Sequence, residues 1–147
     1  MKYIHYGSDK FHKDRFGDIL NGGVKWNKPE PYSGLWASPI DSERNWKNWG
    51  IDNNFRVGNL YSSFTFELKS DSNIITIKND DDIDRYLSNG IILKHHDLCY
   101  FDFEKLKSDG LDAIVAYINT PIINQCLYGW DCDSILVLNS ECVIPID

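Results

Sequence analysis

The chain has 147 residues, 42% of them hydrophobic and 14% aromatic, and carries fifteen basic against twenty-two acidic side chains for a net charge of −7. That length suits a single domain, residues 1–147, with a core large enough to fold without disulfide or metal staples. The acidic balance argues against a non-specific nucleic-acid or anionic-membrane binder, and no apolar run approaches the ~18 residues that a membrane-spanning helix needs.

The densest basic cluster, Lys10, Lys13 and Arg15, is interrupted by Asp9 and Asp14. The opening MKYIHYGSDKF has no apolar core of the signal-peptide kind, so the expected location is cytoplasmic. Cys99, Cys126, Cys132 and Cys142 show no CxxC spacing and read as small, reduced, buried thiols rather than as a disulfide or zinc framework.

In chain order, Lys2 to Tyr6 reads as a strand closed by Gly7-Ser8, and Phe11 to Leu20 as a helix burying Phe16, Ile19 and Leu20. Asn21-Gly22-Gly23 breaks that pattern, and Asn27 to Ser33, with Pro29 and Pro31, reads as loop. Gly34 to Ser38 is a short strand. Asp41 or Ser42 then caps a helix running to about Trp49, with Trp46 and Trp49 on one face. Strands follow at Tyr61–Leu68 and around Ile74, Ile75 and Ile77. Asn79 and its run of Asp residues open a helix through Leu87, stopped by Asn89-Gly90. Phe103 to Ser108 reads as a helix, and Ala113–Tyr117, Ser134–Leu138 and Cys142–Ile146 as strands. The predicted class is α+β, with a split or mixed, mostly antiparallel sheet and short helices.

Three segments carry candidate chemistry. His5 leaves the first strand into Gly7-Ser8, which places an imidazole at the sheet rim beside a backbone that a ligand can approach closely. Alone, such a His is ordinarily a structural or surface residue. In Tyr32-Ser33-Gly34-Leu35-Trp36-Ala37-Ser38-Pro39, a Gly, a large aromatic and small residues on one strand can wall a flat pocket, where an aromatic face suits a planar cationic ring. The ordinary reading of Trp36 is core. Near the end, Glu141 alone divides two apolar runs. In a pocket its carboxylate would hold a ribose hydroxyl and stabilise positive charge at a sugar carbon; in a hairpin turn it would simply be solvated.

Other constellations carry less. Adjacent His95 and His96 on a strand would face opposite ways, so Lys94-His95-His96-Asp97 reads as a solvated loop and no metal is expected. Asn79–Asp84 lacks the spacing of a calcium loop, and Gly22-Gly23 that of a phosphate loop. Trp130-Asp131-Cys132-Asp133 either lines the same pocket as the three motifs or anchors the final hairpin, the latter being favoured.

Taken in order, His5-Tyr6-Gly7-Ser8, Gly34-Leu35-Trp36-Ala37-Ser38 and Ser140-Glu141-Cys142-Val143-Ile144 resemble the ADP-ribosyltransferase superfamily. The likeness is to its histidine–aromatic–glutamate branch, which includes poly-ADP-ribose polymerases and diphtheria-type toxins. It covers the opening and closing stretches of the chain.

The resemblance implies NAD as substrate and no metal. It places His5 on the adenosine ribose, Gly7 and Ser8 at the nicotinamide amide, Trp36 stacked on the ring with Ser38 on the same strand, and Glu141 as the catalytic acid residue, assisted by His5. Two departures stand out: Tyr6 is inserted between His5 and Gly7, and Trp36 replaces the usual Tyr. Relatives that modify arginine carry Glu or Gln two residues before the catalytic Glu, where this chain has Asn139, which argues against an arginine target.

The implied activity is mono-ADP-ribosyl transfer to an acceptor, a protein in preference to a nucleic acid, as in a toxin-like effector. Transfer to water, as an NAD glycohydrolase, a non-catalytic binding module of the same fold, and an unrelated interaction protein are the alternatives. The enzyme reading requires His5, Trp36 and Glu141 to converge on one cleft.

Overall fold

A computed structural model describes residues 1–22, 26–30 and 33–146. Gly23 of the expected chain break, and Pro31 and Tyr32 of the expected loop and aromatic motif, lie outside the described residues. The elements in order are β1 (Lys2–Tyr6), β2 (Leu35–Pro39), α1 (Trp46–Asp52), β3 (Ser63–Leu68), β4 (Ile74–Ile77), α2 (Asp80–Ser88), β5 (Leu93–His95) and β6 (Leu98–Tyr100). They continue with α3 (Phe103–Ser108), β7 (Ala113–Ala116), α4 (Pro121–Cys126), β8 (Ser134–Val137) and β9 (Val143–Ile146).

Seven strands form one mixed sheet in the order β4-β7-β8-β2-β1-β3-β9, so the α+β expectation holds. Every pair in it is antiparallel except β4 and β7, whose parallel pairing requires the long crossover that carries α2 and α3. Strand β1 sits inside the sheet, with Ile4 opposite both Ser38 of β2 and Thr65 of β3. Its end at Tyr6 is held by β3, opposite Ser63. Gly7 continues the pairing through its N–H to the Ser62 carbonyl at 2.8 Å, at a φ of 116° that favours glycine.

The apolar runs of β7 and β8 are buried on both faces, which explains why they lack the alternation of a half-exposed strand. Ile114 and Leu136 point into a cluster with Ile83, Phe103, Ile123 and Trp130, beneath the helices. Val115, Ile135 and Val137 point the opposite way, to Tyr3, Phe64, Phe66 and Val143. The second cluster thus runs along one face of the sheet from β7 to β9. Phe64 and Phe66, read as the buried alternates of β3, belong to it.

Three expectations are corrected. Phe11–Leu20 is not a helix: a single 3-10 turn at Lys13–Arg15 is followed by extended chain. Tertiary pairing overrides the helical spacing. Gly17 bridges Ser33, whose hydroxyl donates to the Asp18 carbonyl at 3.0 Å, while Phe16 meets Phe11 edge-on and Leu20 lies exposed.

Helix α1 is capped by Asn45, whose side-chain oxygen accepts from the Asn48 N–H at 2.8 Å, rather than by Asp41 or Ser42, and it runs on to Asp52. The segment Lys94–Asp97 is no open loop: it is the end of β5 and the turn of a β5–β6 hairpin, with His96 at φ 58°. Helix α4, unforeseen, has Thr120 as cap and Pro121 at its start. Among the described residues, no helix is long and apolar enough to cross a membrane.

Candidate functional site

The end of β1, the middle of β2 and helix α1 enclose a cleft of about 870 Å³. His5 and Gly7 come from β1 and its exit, Trp36 from β2, and Trp46 and Trp49 from α1. The β2–α1 connection is fixed by Ser38, whose fully buried hydroxyl accepts the Trp46 backbone N–H at 3.1 Å. Ser38 is thus a positioning residue for α1 rather than one of the cleft's lining groups.

The tryptophans meet edge to face. Trp36 lies 4.8 Å from Trp130 and 6.3 Å from Trp46, Trp46 lies 5.9 Å from Trp49, and Trp49 lies 5.4 Å from Phe55. Such pairs contribute beyond simple burial. Trp130 anchors the series, being fully buried with its indole N–H donated to the Asn27 carbonyl at 2.8 Å.

Neighbouring Asp133 is a second anchor. Its carboxylate accepts from the Ile118 N–H at 2.8 Å and the Ser42 hydroxyl at 2.6 Å, which joins the β8 entry to the loops before α1 and α4. Between these two, Asp131 is exposed and lines the cleft. Both readings of the Trp130–Asp133 segment therefore hold, for different residues.

His5 donates from Nδ1 to the Trp36 carbonyl at 2.6 Å, with Nε2 left as acceptor in the neutral ring. Burial pushes its pKa below the usual 6.5, and the Trp36 carbonyl offsets this only in part. The unfolded chain then binds the His5 proton more readily than the folded one. The associated stability is complete above pH 6.5 and lost as pH falls through the lowered folded value. Melting temperatures of wild type and His5→Gln, compared from pH 7.5 to 5, are expected to converge or cross as the pH falls, because only the wild type has this proton to gain.

The cleft is cationic as well as aromatic. Among the described residues, Arg15, Lys28 and Arg56 line it against the single carboxylate of Asp131. Lys28 Nζ lies 5.9 Å from the Trp36 ring centre and the Arg56 guanidinium 5.2 Å from that of Phe55. The Trp46 indole nitrogen is buried and has no hydrogen-bond partner among the described residues.

The sequence-derived residues separate into groups. His5, Gly7 and Trp36 come together in the cleft. Ser8 lines a smaller hollow that shares His5, Gly7 and Arg15 with it, and its hydroxyl donates to the Lys10 carbonyl at 2.8 Å. Glu141 lines neither space. It is exposed on the turn between β8 and β9 and paired with Lys13 at 2.7 Å, an interaction that holds its carboxyl below the usual range. The expected convergence of His5, Trp36 and Glu141 is not met.

Sequence reasoning did not assign Arg15, Lys28 or Arg56 to the cleft, offered Asp131 to it only in the less favoured reading of its segment, and placed Trp46 and Trp49 in the core or on a docking surface. The spacing of those two tryptophans after the Trp36 strand was the available signal. The cations come from separate loops and gave none.

The His95 and His96 rings lie 4.5 Å apart on the hairpin, and among the described residues no group of three His, Cys, Asp or Glu is placed to hold a metal ion. All four cysteines are free. Cys99, half-buried, hydrogen-bonds Cys126, which lowers its pKa to about 7 and raises that of Cys126. Comparison with protein-family models finds no match for this chain, and neither do comparisons with curated proteins and solved structures.

Proposed function

We propose that the chain binds NAD in the tryptophan-lined cleft; the missing convergence removes the enzyme reading built on Glu141, and cleavage of the nicotinamide–ribose bond is kept as a reading in which Asp131 takes that place. The observation that carries this reading is the convergence of His5, Gly7, Trp36, Trp46 and Trp49 on one cavity of about 870 Å³, a size suited to a dinucleotide. Aromatic walls suit the planar rings, and Arg15, Lys28 and Arg56 suit a diphosphate. Neutral His5 offers an acceptor to a ribose hydroxyl.

In the cleavage reading Asp131, rather than Glu141, stabilises the positive charge that develops at the ribose carbon as nicotinamide leaves. A second reading, recognition of NAD without turnover, is favoured by the distance of Glu141 from the cleft lining and by its pairing with Lys13.

NAD titration by calorimetry, run beside an assay of nicotinamide release, tests both. Saturable binding is expected, weakened about tenfold in Trp36→Ala by the loss of one ring contact of ~1.5 kcal/mol. Binding without release would leave only the recognition reading, and no binding would overturn both.

A further inference from the structure

Two of the four cysteines meet. Cys99 lies in the middle of β6 and Cys126 ends α4, and their thiols are in hydrogen-bond contact where that helix packs on the β5–β6 hairpin. Cys126 is buried, whereas Cys99 is half-buried and open to a small solute. We propose that Cys99 and Cys126 form a peroxide-sensitive thiol pair, in which Cys99 takes the oxidant and Cys126 closes a disulfide onto it. Neither residue is among those lining the tryptophan-walled cleft, so the pair stands whether or not NAD binds there.

The surroundings divide the two sulfurs into a nucleophile and a resolving group. Lys94 faces Cys99 directly across the hairpin, and register partners in an antiparallel pair project to the same side. The Cys126 S–H donated to Cys99 favours the Cys99 thiolate and the Lys94 ammonium adds to this, so its pKa falls to about 7 despite partial burial. Cys126 goes the other way. Its proton is engaged on Cys99 and its other neighbours are apolar, so it stays a thiol until Cys99 has reacted.

The remaining cysteines show what a purely structural thiol looks like in this fold. Cys142 donates to the Asn139 carbonyl at 2.9 Å, and Cys132 sits 3.9 Å from the Ser134 hydroxyl. Burial pushes both thiols up, Cys132 to about 12. Joining Cys99 to Cys126 has to bring their sulfurs to about 2.05 Å. The β5–β6 hairpin is separate from the seven-stranded sheet, so β6 makes that adjustment without breaking a hydrogen bond of the main sheet.

The chemistry balances with hydrogen peroxide as the oxidant. The Cys99 thiolate attacks one peroxide oxygen; the S–O bond forms, the O–O bond breaks, and hydroxide leaves and is protonated to water. Cys99 is thereby oxidised to the sulfenic acid and the peroxide is reduced. The Cys126 sulfur then attacks the sulfenic sulfur; the S–S bond forms, the S–O bond breaks, and a second water leaves with the Cys126 proton. Two thiols and one peroxide give one disulfide and two waters, and a dithiol reverses the change by exchange.

Reduced protein is treated with one equivalent of hydrogen peroxide, alkylated with iodoacetamide, and cleaved without reductant on the N-terminal side of Asp, which leaves the four cysteines in four different fragments. The Cys99 and Cys126 fragments are expected joined, two hydrogens lighter than their sum and parted again by dithiothreitol, while the intact mass stays that of one chain. Cys132 and Cys142 are expected alkylated. In Cys126→Ala, dimedone is expected to label Cys99 about tenfold more than in wild type, because the sulfenic acid then has no partner. Cys126 is buried, so a melting curve checks that this variant is folded, and the wild-type fragment map stands without it.

Cys99 and Cys126 both recovered alkylated, a cross-link that engages Cys132 or Cys142 as often, or one carried only by a dimer would overturn the pairing. Dimedone labelling of Cys99 that is equal in wild type and folded Cys126→Ala would overturn the resolving role of Cys126.

Discussion

Asp131→Asn is expected to lower nicotinamide release from NAD by about a hundredfold or more while leaving NAD affinity within a few-fold. The size follows from removing one preorganised electrostatic group that acts on charge present only in the transition state, typically ~3 kcal/mol. An amide of the same shape keeps the ground-state contacts, so the loss belongs in kcat rather than in binding.

Glu141→Gln is the companion variant. Its carboxylate is exposed and paired with Lys13, so release is expected to stay within about twofold, and the solvent-screened ion pair contributes little to stability. Rate assays at saturating NAD decide between the two. A large loss in Glu141→Gln with none in Asp131→Asn would restore the role that the family resemblance implies. It would also require Lys13 to release Glu141 during the reaction.

The second large effect is on stability. Trp130→Ala is expected to cost about 3–5 kcal/mol, the range for deleting a large aromatic from a packed core. Trp130 is fully buried, supports Trp36 at 4.8 Å, and supplies the donor for the Asn27 carbonyl. At this chain length that corresponds to a fall in melting temperature on the order of 10 °C. Trp130→Phe keeps most of the packing and loses the hydrogen bond, so a smaller cost of ~1–2 kcal/mol is expected. Chemical denaturation of both variants, with NAD titration of the folded fraction, separates support of the fold from support of the cleft. Equal stability of wild type and Trp130→Ala would contradict the core assignment.

Much of the sheet was legible because its strands carry local signals. β1 to β9 are marked by alternation or by short apolar runs with turn residues at their ends, with β5 and β6 as the exceptions. Those two strands are only three residues long each and pair with each other, so neither periodicity nor length betrays them. Phe11–Leu20 failed for the opposite reason. Its spacing is helical, but Phe16 and Ile19 serve packing sites that an extended chain reaches and a helix does not.

Within the site, the His5, Gly7 and Trp36 motifs were visible because each sits at the end or middle of a readable strand. Glu141 looked distinctive only because it stands alone among apolar residues. In the fold that isolation marks a turn, whereas the carboxylate at the cleft, Asp131, is hidden between two anchoring residues of the same segment.

The edge-to-face series from buried Trp130 through Trp36, Trp46 and Trp49 gathers four of the chain's five tryptophans at a single place. Four of the five indoles that absorb in the near ultraviolet therefore lie within one coupled set at the cleft. Excitation absorbed by any of them can pass to its neighbours, so the protein's own light reports on the water and the rings beside Trp46 and Trp49 far more than on the rest of the molecule. The chain carries a built-in optical gauge of whether that space is filled, and no label has to be attached to read it.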